Sequence, residues 1–419
     1  MNEAQFQMIW EKQLFSTKQL TTTCGKKIFI QDPGKLNNDQ GPDFNLARLL
    51  IDRQEWVGSV ELHLRTSDWY LHRHHYDPIY RTVILHVVWE HDIFEFGQSP
   101  VLELKPLFTN GLVPVDFSAC SQNKSIRCGN DLFSPVSLEM YEFLDNLGHS
   151  RLEQRADQLI ELLDCYRGDW DTVAWLFMAK GFGHSVNADA FFALARSIPF
   201  YLIRLYKYDQ EILEALLYGQ SGLLNVQWKD DYPTQLLRSY TILKRKYGLI
   251  PITHPMMFLR MRPSNFPTIR ISQLACLYHQ CQHVFRSIIE LHDRSSILEM
   301  FDVTASSYWE DHHAFDRPGF SQQRCMGITM ANNLIINVFV PILMAYSKAT
   351  GNKIYKEKGL KWLSELRAES NSVIDQFKRT GFNIHTAYES QSILELHKQY
   401  CSRNLCHLCV RGKQVFTPS

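Results

Sequence analysis

The hydrophobic pattern changes period once, around Pro114 to Ser134, and that change limits the possible folds more than any other feature. Before it, short apolar runs alternate with polar residues or sit between turn signals, as β-strands do. From Val136 onward the pattern is helical almost without interruption, through Leu152 to Leu163, Val173 to Phe182, Ala188 to Leu205, Ile271 to Leu291 and Ile328 to Ala345. This order predicts an α+β protein: a small mixed β-sheet domain over residues 1–130, then a large all-α domain over 131–419. A chain of 419 residues, 45% hydrophobic, exceeds what one core usually holds, which agrees with two units. No fixed-period repeat is visible.

The N-terminal part opens with Phe6, Ile9, Trp10 and Leu14 at helical spacing, and Glu11 lies on the flank of that helix. A strand around Lys27 to Ile30 leads into a turn-rich loop, DPGKLNNDQGPDF, which delivers Asp43 to the mouth of the next strand. Leu46 to Ile51 and Trp56 to Arg65 read as an antiparallel hairpin joined at Asp52 to Glu55. In its second arm Val60, Leu62 and Leu64 alternate with Ser59, Glu61, His63 and Arg65, so Glu61 and His63 share one face. Thr82 to Trp89, apolar on both faces, fits a central strand. Asp43 and Glu61 facing one surface would hold a hard divalent cation, Mg²⁺ or Mn²⁺, and place a water beside it, with His63 as a base. The ordinary alternative is a Pro-Asp turn and a solvated Glu-x-His pair.

The segment after that strand is the richest in histidine: Asp68, Trp69, His72, His74, His75 and Asp77, with His86 further on. His72 and His74, with Asp68, are expected to assist the site as further ligands or phosphate contacts, whereas His86 reads as a core histidine. In the helical part, Arg260, Arg262 and Arg270 in RMRPSNFPTIRISQLA could present guanidinium groups to phosphates, near Lys244, Arg245 and Lys246. The competing account has them bonded to carbonyls at a helix junction. At the end of the chain Cys401, Cys406 and Cys409 form C-x4-C-x2-C, a spacing that wraps zinc or an iron-sulfur cluster. The fourth ligand would be His397, Cys128 or, less readily, Cys24 or Cys120. Cys276 and Cys281 read as packing residues.

Composition narrows the function classes. Lys plus Arg and Asp plus Glu are equal at 44 each, so a basic footprint for nucleic acid would have to be local. No signal-type apolar core opens the chain, and no uninterrupted apolar run looks long enough for a bilayer, so a cytoplasmic protein without membrane contact is expected. There is no P-loop, dinucleotide fingerprint, Gly-x-Ser-x-Gly elbow or His-Glu-x-x-His.

The words GPDF, GSVELHLRTSDW, HRHHYDPIY, VILHVVWE, EALLYGQSGLL, RMRPSNFPTIRISQLA and YCSRNLCHLC together resemble a bacterial family defined as domain of unknown function 2851, over nearly the whole chain. More loosely, a helix, Pro42-Asp43 at a strand mouth and Glu61-Leu62-His63 on the next strand are similar to the PD-(D/E)XK phosphodiesterases. That resemblance implies Asp43 and Glu61 as ligands of Mg²⁺ or Mn²⁺, His63 in the place usually held by Lys, and Glu11 as an auxiliary ligand. It implies a nuclease acting on nucleic acid, DNA before RNA, with the helical part as a binding platform. Some nucleases of that type pin their ends with a cysteine-bound iron-sulfur cluster, which the terminal cysteines resemble. A catalytically silent scaffold that binds nucleic acid or protein is the alternative.

Overall fold

The computed structural model describes residues 3–17, 20–37, 41–52, 54–93, 96–97, 99–107, 126, 128, 137–259, 261–281, 283–403 and 405–416. The chain divides into two compact units, Met1–Asn123 and Lys124–Ser419. The first is a mixed β-sheet unit and the second is helical, an α+β architecture.

The N-terminal unit starts with helix α1 (Glu3–Glu11) and continues through β1 (Leu20–Thr21), β2 (Lys27–Asp32), β3 (Lys35–Leu36), β4 (Phe44–Ile51), β5 (Gln54–Arg65), the short helix α2 (Asp68–Leu71), β6 (Val83–Glu90) and β7 (Val101–Glu103). The sheet order is β1-β2-β4-β5-β6-β7, with β3 paired to β4. β2, β4 and β5 run antiparallel, and the β4–β5 register closes the hairpin at Ile51 opposite Gln54. β6 and β7 then add in parallel. The pleat sorts the side chains: Val60, Leu62, Leu85, Val87 and Leu102 pack with Phe6, Ile9 and Trp10 of α1 in one apolar core. Glu61, His63 and His86 point to the other face, which residues 66–82 cover.

Two bulges shape this sheet. Between Phe44 and Ala47 β4 carries one residue more than β5, and Leu46 there has φ of 59°. Between Ser59 and Val60 the extra residue lies on β6, at Ile84. A Cβ on Gly58 would meet Ile84 Cγ2 at 2.4 Å and the Thr82 carbonyl oxygen at 2.7 Å, so the β5–β6 pairing depends on a residue without one.

In the helical unit the long helix Leu138–Cys165 is N-capped by Ser137, and Asp169, Asp209 and Asn371 cap later helices the same way. Thr386 and Glu389 form a capping box ahead of Ala387–Leu396. The main core surrounds Trp175, Tyr218, Trp309 and Phe339. A smaller core gathers Ile126, Met140, Ile374, Phe377, Ile393 and Cys409. The continuous helix Ile328–Thr350 is long and apolar enough by composition to cross a membrane, with mean hydropathy 1.7; 72% of that window is buried inside the structure. Its run is broken by Asn332, Asn333 and Asn337 and by a π turn at Ile335–Phe339.

Candidate metal centre

The β4 bulge brings Asp43 beside β5. Its Oδ2 accepts the Leu62 backbone N–H at 2.9 Å, and Oδ1 accepts Gln7 Nε2 of α1 at 2.7 Å. Its own backbone N–H donates to Glu61 Oε2 at 2.9 Å. Both Asp43 oxygens are therefore already engaged, and the outer oxygen of Glu61, Oε1, is left facing the histidines. His74 Nε2 lies 3.4 Å from it and His63 Nε2 3.6 Å.

His63 is held from both sides. Its Nδ1 meets His86 Nε2 at 2.9 Å, across the parallel pairing that sets Glu61 opposite His86, and its Nε2 meets His72 Nδ1 at 3.1 Å. Among the described residues, His63, His72 and His74 alone form a set of three ligand groups whose atoms all lie within 4.8 Å of one another. His63 is buried and His74 partly so, while His72 is exposed and opens the cluster to solvent. Trp69, buried under the segment, sets its ring against His63, His74 and His86. Tyr80 stacks on His74 with ring centroids 3.7 Å apart. Trp69 Nε1 and His86 Nδ1 are buried without a hydrogen-bond partner.

Burial dominates the electrostatics. It pushes the Glu61 carboxyl up to about 9, with the Asp43 carboxyl adding to the rise, and it raises Asp43 as well. It pulls His63 down to about 2, helped by His86, His74 and His72. His74 falls to about 4 and His86 to about 3, again chiefly through burial. Near neutral pH His63, His74 and His86 are thus uncharged imidazoles beside a protonated glutamate. A divalent cation would stabilise the charged form of Glu61 and find the imidazoles ready to ligate.

The remaining expected residues fall elsewhere. Asp68 accepts the Arg65 backbone N–H at 2.9 Å, a local brace at the strand end, and no described contact joins it to the cluster. Glu11 is exposed at the end of α1; the helix reaches the site through Gln7 by hydrogen bond and through Glu3 by charge. His86, expected to be a core histidine bonded to a neighbour, is buried, and the neighbour it bonds is His63 of the cluster. Gln7, Glu3 and Tyr80 had no signal in the sequence, since only the folded register sets them beside Glu61.

Arg270 is buried, with its guanidinium engaged by Gln273 Oε1 at 2.8 Å and Asn265 Oδ1 at 2.6 Å, so it is bound within its own helix junction rather than offered to a phosphate. Arg262 is exposed just before the turn Pro263–Asn265, and Arg260 lies outside the described residues. This segment and EALLYGQSGLL meet inside the helical core: Ser272 bonds Glu214, and the Tyr218 hydroxyl donates to the Thr268 carbonyl at 2.6 Å. Glu214 also accepts from the Tyr232 hydroxyl at 2.6 Å. These two sequence words hold each other.

Comparison with curated proteins finds no match, and comparison with solved structures finds none. A family profile, described as a protein of unknown function (DUF2851), matches residues 3–372, which include every residue of the metal centre. The chain belongs to the DUF2851 family.

Proposed function

We propose that the N-terminal unit is a metal-dependent phosphodiesterase centre acting on nucleic acid, with Glu61, His63, His72 and His74 as the ligands. The observation that carries this reading is the cluster of His63, His72 and His74, with Glu61 Oε1 3.6 Å from His63 and 3.4 Å from His74, on a face open to solvent at His72. Three nitrogens and one oxygen suit Mn²⁺ or Zn²⁺ better than Mg²⁺, which prefers oxygen ligands. Asp43 then acts as a positioning residue that fixes Glu61, and His86 orients His63 from behind, as outer partners of metal ligands commonly do. A cation so held would polarise a phosphoryl oxygen and lower the pKa of a bound water.

The choice of phosphodiester rests on the likeness to PD-(D/E)XK enzymes: a helix, an acid at the mouth of one strand, and Glu-x-His on its antiparallel neighbour. In the helical unit a groove of about 780 Å³, lined in part by Lys244 and Arg245, offers a local basic surface for a polyanion.

The test is cleavage of single- and double-stranded DNA and RNA by the full chain with Mn²⁺, Zn²⁺ or Mg²⁺, beside Glu61→Gln and His74→Ala. Cleavage that needs Mn²⁺ or Zn²⁺ and disappears in both variants is the expected result. Cleavage unchanged in both variants refutes the site. The scaffold reading is favoured by the nearly complete burial of Glu61 and His63, and metal binding without cleavage of any substrate would support it.

A further inference from the structure

We infer that Cys128, Cys401, Cys406 and Cys409 form a four-thiolate metal site, for zinc, that ties the start of the helical unit to its end. Cys128 and Cys401 pack against the small second core, of which Cys409 is a buried member, so residues 273 positions apart in the sequence share one cluster. Cys406 opens a 3₁₀ turn, Cys406–Leu408, and the Cys409 backbone N–H closes it on the Cys406 carbonyl at 3.1 Å. Residues three apart eclipse in such a turn, which brings these two side chains to one side. Cys401 ends a π turn, His397–Cys401, whose extra residue re-aims the end of the preceding helix. A Cβ on Gly412 would lie 2.0 Å from the Cys406 carbonyl oxygen, so the last helix closes on this turn only because residue 412 has none.

Charge agrees with the packing. Burial pushes the Cys401 thiol up to about 12, and Cys128, Cys409 and Cys406 each add to the rise; Cys128 is raised by burial and by Cys409 and Cys406. Without a cation the Cys128 and Cys401 thiols therefore stay protonated. A divalent cation reverses this, each thiol passing its proton to solvent as its sulfur binds. Cys128 is the fourth ligand because it packs against the same small core as Cys401 and Cys409. Cys24 is exposed in the other unit. No three of these sulfurs lie within 4.8 Å of one another, so ligation at about 2.3 Å would draw the terminal turn inward. A small core is where such a staple contributes most.

The test is elemental analysis of the full chain purified without air, with its absorption spectrum, beside Cys128→Ser, Cys409→Ser and the exposed-cysteine control Cys165→Ser. To separate this site from the histidine cluster, all are made in the His72→Ala/His74→Ala background. About one zinc per chain, kept in the control and lost in both cysteine variants, is expected. Iron with sulfide and absorption in the visible, lost in the same variants, keeps the four-thiolate ligation and replaces zinc with a cluster. Because a variant could lose metal by misfolding, alkylation of the otherwise unaltered chain supplies the second reading. All four cysteines should be protected together and become reactive together on chelation. Metal retained in Cys128→Ser, or four thiols that alkylate independently of chelator, overturns the proposal.

Discussion

At pH 7.5 a Glu61 carboxyl held up to about 9 keeps its proton until a cation arrives, so metal binding at the histidine cluster should release close to one proton. Calorimetric titration in buffers of different ionisation enthalpy measures this directly. Glu61→Gln should abolish the release while leaving the three imidazoles in place, and an unchanged proton count would remove Glu61 from the ligand set. The histidines give the opposite pH dependence. His63 and His86 are pulled below their ordinary value on folding, so the stability they contribute is complete above pH 6.5 and is lost as pH falls toward about 2 and 3. Each should cost the metal-free N-terminal unit of order 2 kcal/mol at pH 5 relative to pH 7.5. The check is urea unfolding of the metal-free chain at both values, in which His86→Gln should flatten the dependence.

Strand β5 shows how far a single element can be read from sequence. Its alternation places Glu61 and His63 opposite Val60 and Leu62 because the strand has one apolar side, and the structure has them there. That the Glu61 face is buried was not readable, since the segment covering it, 66–82, is itself dense in polar groups, and Trp69, His74 and Tyr80 close it by packing together. His86 needed the parallel register of β6, which no local pattern fixes. The Pro-Asp turn already sets Asp43 at the strand mouth beside Glu61, but the β4 bulge that fixes the register, where Leu46 takes a positive φ, is not announced by residue type. The same dependence on pairing makes Gly58 critical. Gly58→Ala would force β5 from β6 at the Thr82 carbonyl, and should cost about 1–3 kcal/mol and weaken metal binding through the shift of Glu61 and His63. Thermal unfolding and metal titration of this variant check both, and a neutral result would mean the β6 bulge can yield without cost.

Across the whole molecule, each unit has its own core, and the two candidate metal sites lie one in each. Two-state unfolding is therefore not expected. His63→Ala should lower the transition of the N-terminal unit alone, and Cys409→Ser that of the helical unit alone, in scanning calorimetry of the full chain; a single transition moved by both would contradict this independence. The period change near Pro114 made the two-part architecture legible, because a switch from strand to helical spacing survives any local misreading. Cys128 was one of several options for the fourth thiolate, because its neighbours in space lie at the far end of the chain. The central claim is that a cation sits among Glu61, His63, His72 and His74. Anomalous diffraction from crystals of the full chain grown with Mn²⁺ tests it most directly: the expected result is a peak bonded to Glu61 Oε1 and the three imidazoles, and saturating Mn²⁺ with no peak there, or one held by Asp43 without the histidines, would contradict it.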